Sequence, residues 1–301
     1  MREKVVGAFP NMHPVVTTVY YAAVIGITMF SSSPLILAIS LVSGIIYLGI
    51  LKNFEGIRAT LALAFIVMAV MAVINGIFVN KGQTCFWLGS KRISLEAVIY
   101  GVVMGLMLAA VIICFASFNE IMHSEKIIYI FGRVIPSLGV VISMILRYIP
   151  LMRRRWQEIS EAQAALGNPD GNGSKWYGKI RLFLKKASIL ISWSLESSIE
   201  TSDSMVARGY GLRGRTSYHL FRFVAKDLAL LIVILTLATL TIMGMCLGAG
   251  RFYFYPEIRA IYPDTAISLK IMTYFAFAML ALLPSIIDVV SCRRRAIEWE
   301  K

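Results

Sequence analysis

IIYIFGRVIPSLGVVISMILRYIP, residues 127–150, is the stretch on which the topology of this chain turns. By hydropathy it resembles a membrane span. Arg133 and Arg147 interrupt it, however, with Pro136 between them. The uncharged part, Val134–Leu146, is only 13 residues long, whereas a crossing needs about 20. An arginine held at the centre of a span would cost about 2.5–3.5 kcal/mol. Residues 127–150 are therefore expected to form an amphipathic, interfacial helix that does not cross.

Charge on either side supports the same reading. From Arg147 to Lys226 there are 14 Lys/Arg against 6 Asp/Glu, which by the positive-inside rule predicts a cytosolic segment. Arg2 and Lys4 near the N-terminus and Arg293-Arg294-Arg295 near the C-terminus predict the same side for both ends. Four spans before residue 119 satisfy all three conditions, and five do not. Lys81, Lys91 and Arg92 run against this scheme, because it leaves them outside.

Outward from this stretch the chain is overwhelmingly apolar. Of 301 residues, 58% are hydrophobic and 16% charged, and the mean hydropathy is +0.73. Soluble domains carry about a quarter charged residues. Val15–Leu51 contains no charge over 37 positions, about 55 Å as one helix. Ser31-Ser32-Ser33-Pro34 breaks it, predicting spans at 13–30 and 34–51. Thr60–Val79, Ala97–Phe118, Leu228–Ala249 and Ala266–Val290 complete about six spans. Their interiors are expected to hold no charged residue, which disfavours a proton-coupled carrier. Gly101-xxx-Gly105 and Gly244-xxx-Gly248 are expected to serve ordinary close packing of helices. RFYFYPEIRAIYPD, residues 251–264, suits an interfacial loop. The N-terminal stretch lacks a small-residue cleavage site and reads as a mature cytosolic start.

The basic segment divides into two amphipathic arms. In the first, about Leu151–Leu166, the residues Met152, Trp156, Ile159, Ala162 and Leu166 recur at helical spacing. Gly167-Asn168-Pro169 then signals a helix end. In the second, about Lys179–Arg208, Ile180, Leu184, Ala187, Ile191 and Leu195 form a stripe, continued by Ile199, Ser202 and Met205. It ends at Gly209. The tips AQAALG (Ala162–Gly167) and MVARG (Met205–Gly209) thus hold equivalent places. Small residues followed by glycine let a partner approach the backbone closely. Helix-end carbonyls favour a cation, and Arg208 adds a fork of donors suited to a partner carboxylate.

Several chemistries find no support. Cys85, Cys114, Cys246 and Cys292 are scattered, without a CxxC pair, so neither a disulfide framework nor a zinc site follows. No phosphate-binding GxxxxGK[ST] loop or HExxH motif occurs. No acid/base pair stands out for an enzyme acting on lipid, although Arg133, Arg147, His123 and Glu125 lie near the membrane face. No cofactor or metal is expected. The net charge of +13 is accounted for by topology and docking, not by nucleic acid.

Two stretches carry a family resemblance. SLESSIETSDSMVARGYGLRGRTSY (Ser194–Tyr218) resembles the second coupling motif of the energy-coupling factor (ECF) transporter T component. ILRYIPLMRRRWQEISEAQAALG (Ile145–Gly167) resembles the segment that leads into the first. The resemblance covers about 75 residues well. It implies an all-α polytopic bundle with long amphipathic cytosolic coupling helices, divided as 1–118, 119–226 and 227–301. It implies a non-catalytic membrane scaffold joining a hydrophobic substrate-binding S component to two ABC-type ATPases, for vitamin or metal uptake through a prokaryotic cell membrane. Ala207, Arg208 and Gly209 would meet one ATPase, and Ala165, Leu166 and Gly167 the other. Arg147, Pro150, Gln163 and Arg215 would support them. The family commonly has arginine where Leu166 stands, which suggests two non-identical ATPases, one gripped mainly by apolar contact. The competing reading is a self-sufficient permease whose basic segment is regulatory.

Overall fold

The computed structural model describes residues 8–51, 54–78, 85–88, 91–123, 126–127, 129–130, 136–167, 176–210, 223–250, 252–253, 259–260 and 267–299. The chain divides into two compact units, residues 1–127 with 221–301, and residues 128–220.

The first unit is a helical bundle. Its helices are α1 (Pro14–Phe30), α2 (Pro34–Leu51), α3 (Phe54–Phe78) and α4 (Leu95–Ile121), then α7 (Ala225–Cys246) and α8 (Ile267–Trp299). All but α1 are long and apolar enough to cross a membrane, and α1 is an apolar helix of 17 residues. The protein is a multi-pass helical membrane protein. Two short antiparallel hairpins interrupt the helices: β1 (Cys85–Leu88) with β2 (Lys91–Ser94), and β3 (Phe252–Tyr253) with β4 (Arg259–Ala260).

Local chemistry sets the helix limits. Pro14 opens α1, where its missing N–H costs nothing, and His13 Nδ1 accepts the Val15 N–H at 3.3 Å. The serine run ends α1, with Ser33 N–H donating to Ser31 Oγ at 3.2 Å. At α7, Asp227 Oδ2 accepts the Val224 N–H at 3.1 Å. The α3–α4 contact rests on missing side chains. A Cβ on Gly101 would lie 2.8 Å from Ala72 Cα, and one on Gly105 2.8 Å from Met68 Cα. Gly244 likewise lies against Thr273 of α8. Gly101, Gly105 and Gly244 thus serve bundle packing, whereas Gly248, at φ +91°, lies beyond the end of α7 and closes it.

Contacts at its two ends fix how the bundle alternates. At one end Phe9, fully buried, packs edge-to-face on Tyr20 and Tyr47 at centroid distances of 5.4 and 6.0 Å. Its N–H donates to Asp288 Oδ1 at 2.8 Å. Lys126 Nζ donates to the Pro10 carbonyl, and the His13 ring packs on Phe223 at 4.9 Å. At the opposite end Ser33 and Tyr274 share a hydroxyl contact of 3.2 Å. Four helices therefore carry the chain away from the end where it starts and back again before residue 122.

The expectation of charge-free span interiors is corrected here. Asp288 lies within the apolar α8 and is 1% exposed. It is tolerated because it accepts the otherwise unmet N–H of Phe9 in the core, a charge-assisted bond. Burial also pushes the Lys126 ammonium below the usual lysine range, in a group beyond the last residue of α4.

The second unit contains α5 (Pro136–Ala165) and α6 (Trp176–Ala207). The sequence suggested one helix ending near Pro150 and a new arm from Leu151. Instead α5 runs through Pro150 without a break. An interior proline forfeits one hydrogen bond, about 3 kcal/mol, but apolar and polar faces continue across it.

Candidate functional site

The arms α5 and α6 pack antiparallel. Tyr148 Oη meets Ser197 Oγ at 3.5 Å, Ser194 Oγ meets Met152 Sδ at 3.4 Å, and Lys186 Nζ donates to Ser160 Oγ at 3.2 Å. The Trp156 and Phe183 rings lie 5.4 Å apart. The Arg155 guanidinium sits 4.6 Å over the Trp193 ring and pairs with Glu158 at 2.7 Å. Partner numbers in the three hydrogen-bonded contacts sum to 345 or 346, so residue 166 stands level with about residue 180. Arg208 lies 28 residues further along α6, about 42 Å at 1.5 Å per residue. The two glycine-ended tips therefore occupy opposite ends of the pair.

Each tip is closed by a left-handed glycine, with φ +81° at Gly167 and +78° at Gly209. After α6 the Gly209 N–H bonds to the Val206 carbonyl at 2.9 Å and the Tyr210 N–H to Met205 at 3.0 Å. This is a complete Schellman closure. After α5 the Gly167 N–H makes the matching bond to Ala164 at 3.0 Å. Leu166 and Arg208 thus stand at the same place, immediately before the left-handed residue. A Cβ on Gly167 would meet nothing within 4 Å, so backbone geometry, not crowding, selects glycine there.

The tips differ in chemistry. Ala165, Leu166, Gly167, Ala207 and Arg208 are exposed, and Leu166 is 72% exposed. One tip offers an apolar side chain to whatever docks there. The other offers a guanidinium beside helix-end carbonyls, which favour cations. Arg147 and Pro150 are exposed on α5. Gln163 is buried, and its Oε1 has no hydrogen-bond partner among the described residues. Arg215 lies outside the described residues.

On α5 the stripe residues Met152 and Trp156 meet α6, but on α6 the periodic stripe and the packed face do not coincide. On α6 the inter-arm contacts come from Phe183, Lys186, Trp193, Ser194 and Ser197. The stripe residues Leu184, Ile191, Leu195 and Ile199 are each 59% to 64% exposed. On α5, Val141, Ile145 and Ile149 are exposed, beside an apolar groove of about 480 Å³ that Tyr148 and Met152 also line. Hydrogen bonding, first from Ser197 and then from Thr201 and Ser198, holds Tyr148 below the usual phenol range. Sequence reasoning missed this polar seam. Its one signal was the Ser194, Ser197, Thr201 spacing, the three-to-four rhythm of a helix face.

No protein-family model matches the chain. It is similar to the energy-coupling factor transporter transmembrane protein EcfT of Bacillus selenitireducens, with 30% identity over 54% of this chain and 68% of that protein. It is also similar to the protein of the same description from Listeria innocua, with 32% identity over 38% of this chain and 45% of that one.

Proposed function

Since the chain belongs to the family of energy-coupling factor transporter transmembrane proteins, we propose that it is the scaffold that couples two ATPase subunits to a substrate-binding S component. The chain itself is a membrane component of such a transporter. The observation that carries the coupling role is the pair of equivalently closed tips at opposite ends of α5 and α6. Tips about 42 Å apart along one helix suit two separate partners better than one. Ala207, Arg208 and Gly209 dock one ATPase, and Ala165, Leu166 and Gly167 the other. Arg147, Pro150, Gln163 and Arg215 support these tips.

The exposed apolar stripes of α5 and α6 suit a hydrophobic partner or the membrane surface. Uncovered, Leu184, Ile191, Leu195 and Ile199 would hold a contiguous apolar patch in water, which soluble surfaces avoid. The S component is the partner we assign to this face. The imported substrate is a vitamin or a metal, chosen by that subunit. Arms and both chain ends face the cytosol of a prokaryotic cell, as the 14 Lys/Arg against 6 Asp/Glu between Arg147 and Lys226 favour.

Unequal tips suggest unequal partners. Arg208→Glu reverses a charge that can pair with a carboxylate, whereas Leu166→Asp puts a charge into an apolar contact. Each substitution is expected to weaken binding of a different ATPase, measured by co-purification from membranes expressing all subunits. Equal, small losses of both ATPases with both variants would contradict the assignment.

A further inference from the structure

The segment before α1 touches the bundle at the two places where the chain leaves it and returns to it. The unit boundaries fall after residue 127 and before residue 221. The chain therefore enters the arm unit just after Lys126 and leaves it just before Phe223. Lys126 lies beyond the end of α4, its N–H bonded to the His123 carbonyl at 3.0 Å. Phe223 stands directly before Val224, the N-cap of α7.

Residues 9–13 hold both of these roots. Pro10 sits inside the 3-10 turn Phe9–Asn11, where its ring fixes the local backbone. Its carbonyl accepts from Lys126 Nζ. Lys126 is only 8% exposed, and a buried ammonium is costly unless it is paired, so this contact fixes the first root. The second root is held by the buried His13 ring, which packs edge-to-face on Phe223 at 4.9 Å. His13 is itself fixed, because its Nδ1 accepts the Val15 N–H at the start of α1. Phe9 anchors the same turn in the bundle. Its ring lies against Tyr20 of α1 and Tyr47 of α2, and its N–H donates to Asp288 of α8.

Residues at the ends of elements act as hinges when they are free to absorb changes in φ and ψ. Contacts that fix both roots remove that slack. We propose that residues 9–13 form a strap that pins both roots of the arm unit to the membrane helices, so that a push on the arms reaches α1, α2 and α8 instead of being taken up at the junctions. This strap deepens the coupling role proposed above, on which it rests, by giving the place where motion enters the bundle.

Substrate uptake and ATP hydrolysis, measured together on the complete assembly in proteoliposomes, test the strap. His13→Ala combined with Lys126→Met removes both root contacts and leaves Phe9 and Asp288 in place. The double variant should keep its ATPases and S component on co-purification and should still hydrolyse ATP, while uptake per ATP falls several-fold. Lys126→Arg, which keeps a donor, should stay near the wild-type ratio. A wild-type ratio in the folded double variant would overturn the strap and leave the coupling role standing, whereas uptake by the wild-type chain alone would overturn both. Hydrogen exchange of the wild-type assembly, with and without a non-hydrolysable ATP analogue, needs no variant. The N–H groups of Phe9, Asn11 and Met12, bonded to Asp288, Ala8 and Phe9, should stay protected in both states, because the strap acts only while docked. Loss of that protection in either state would overturn the proposal, and this exchange decides alone if the double variant does not fold.

Discussion

At Gly209 the backbone holds φ +78°, a region that costs any other L-residue roughly 1–2 kcal/mol. Gly209→Ala should therefore loosen the end of α6 without touching the bundle. The expected result is a small drop in thermal stability with a larger loss of transport, read by differential scanning fluorimetry beside an uptake assay. Arg208→Ala is predicted to reduce uptake while leaving S-component association intact, checked by pull-down on the S component. Loss of S-component binding with the ATPases retained would contradict the placement of Arg208. At this scale the sequence was informative wherever one residue type answers one geometric demand. Gly167 and Gly209 were legible as helix ends because left-handed backbone selects glycine. Asp288 stands in the sequence inside the predicted span Ala266–Val290, but its burial and its role were not legible, since hydropathy averages over a window and α8 is apolar around it. Its partner, the Phe9 N–H, lies 279 residues away in sequence.

Among the elements, the bundle helices were legible from long uncharged runs, to within several residues at their ends. The continuity of α5 was not, because Pro150 reads as a stop while the α5–α6 contacts lie on both sides of it. Periodicity marked an apolar stripe on α6, but it could not tell whether the protein itself or a partner covers that stripe. The packed seam turned out to combine polar groups with the Trp156, Phe183 and Trp193 rings. Two predictions belong here. Gly105→Leu should separate α3 from α4, because a Cβ alone would stand 2.8 Å from Met68 Cα. Overpacking of this kind costs about 1–3 kcal/mol and should lower the melting temperature of the purified chain. Asp288→Leu should strand the buried Phe9 N–H, at about 1–3 kcal/mol. The N-terminal segment should then become more sensitive to limited proteolysis, whereas Asp288→Asn, which keeps an acceptor, should protect it better than Leu.

For the whole molecule, the contacts of Phe9, Pro10 and His13 with Asp288, Lys126 and Phe223 bring the chain start, the end of α4 and the start of α7 to one end of the bundle. The proposed coupling role rests on the tips, the exposed stripes and the charge of the two arms. The central claim is that this chain couples partners and does not carry substrate alone. The most direct measurement is substrate uptake into proteoliposomes, made with the chain by itself and with the chain co-reconstituted with two ATPases and a small hydrophobic subunit. The account predicts ATP-dependent uptake only in the complete assembly, and its loss when Arg208 is replaced by glutamate. Uptake by the chain alone would contradict it.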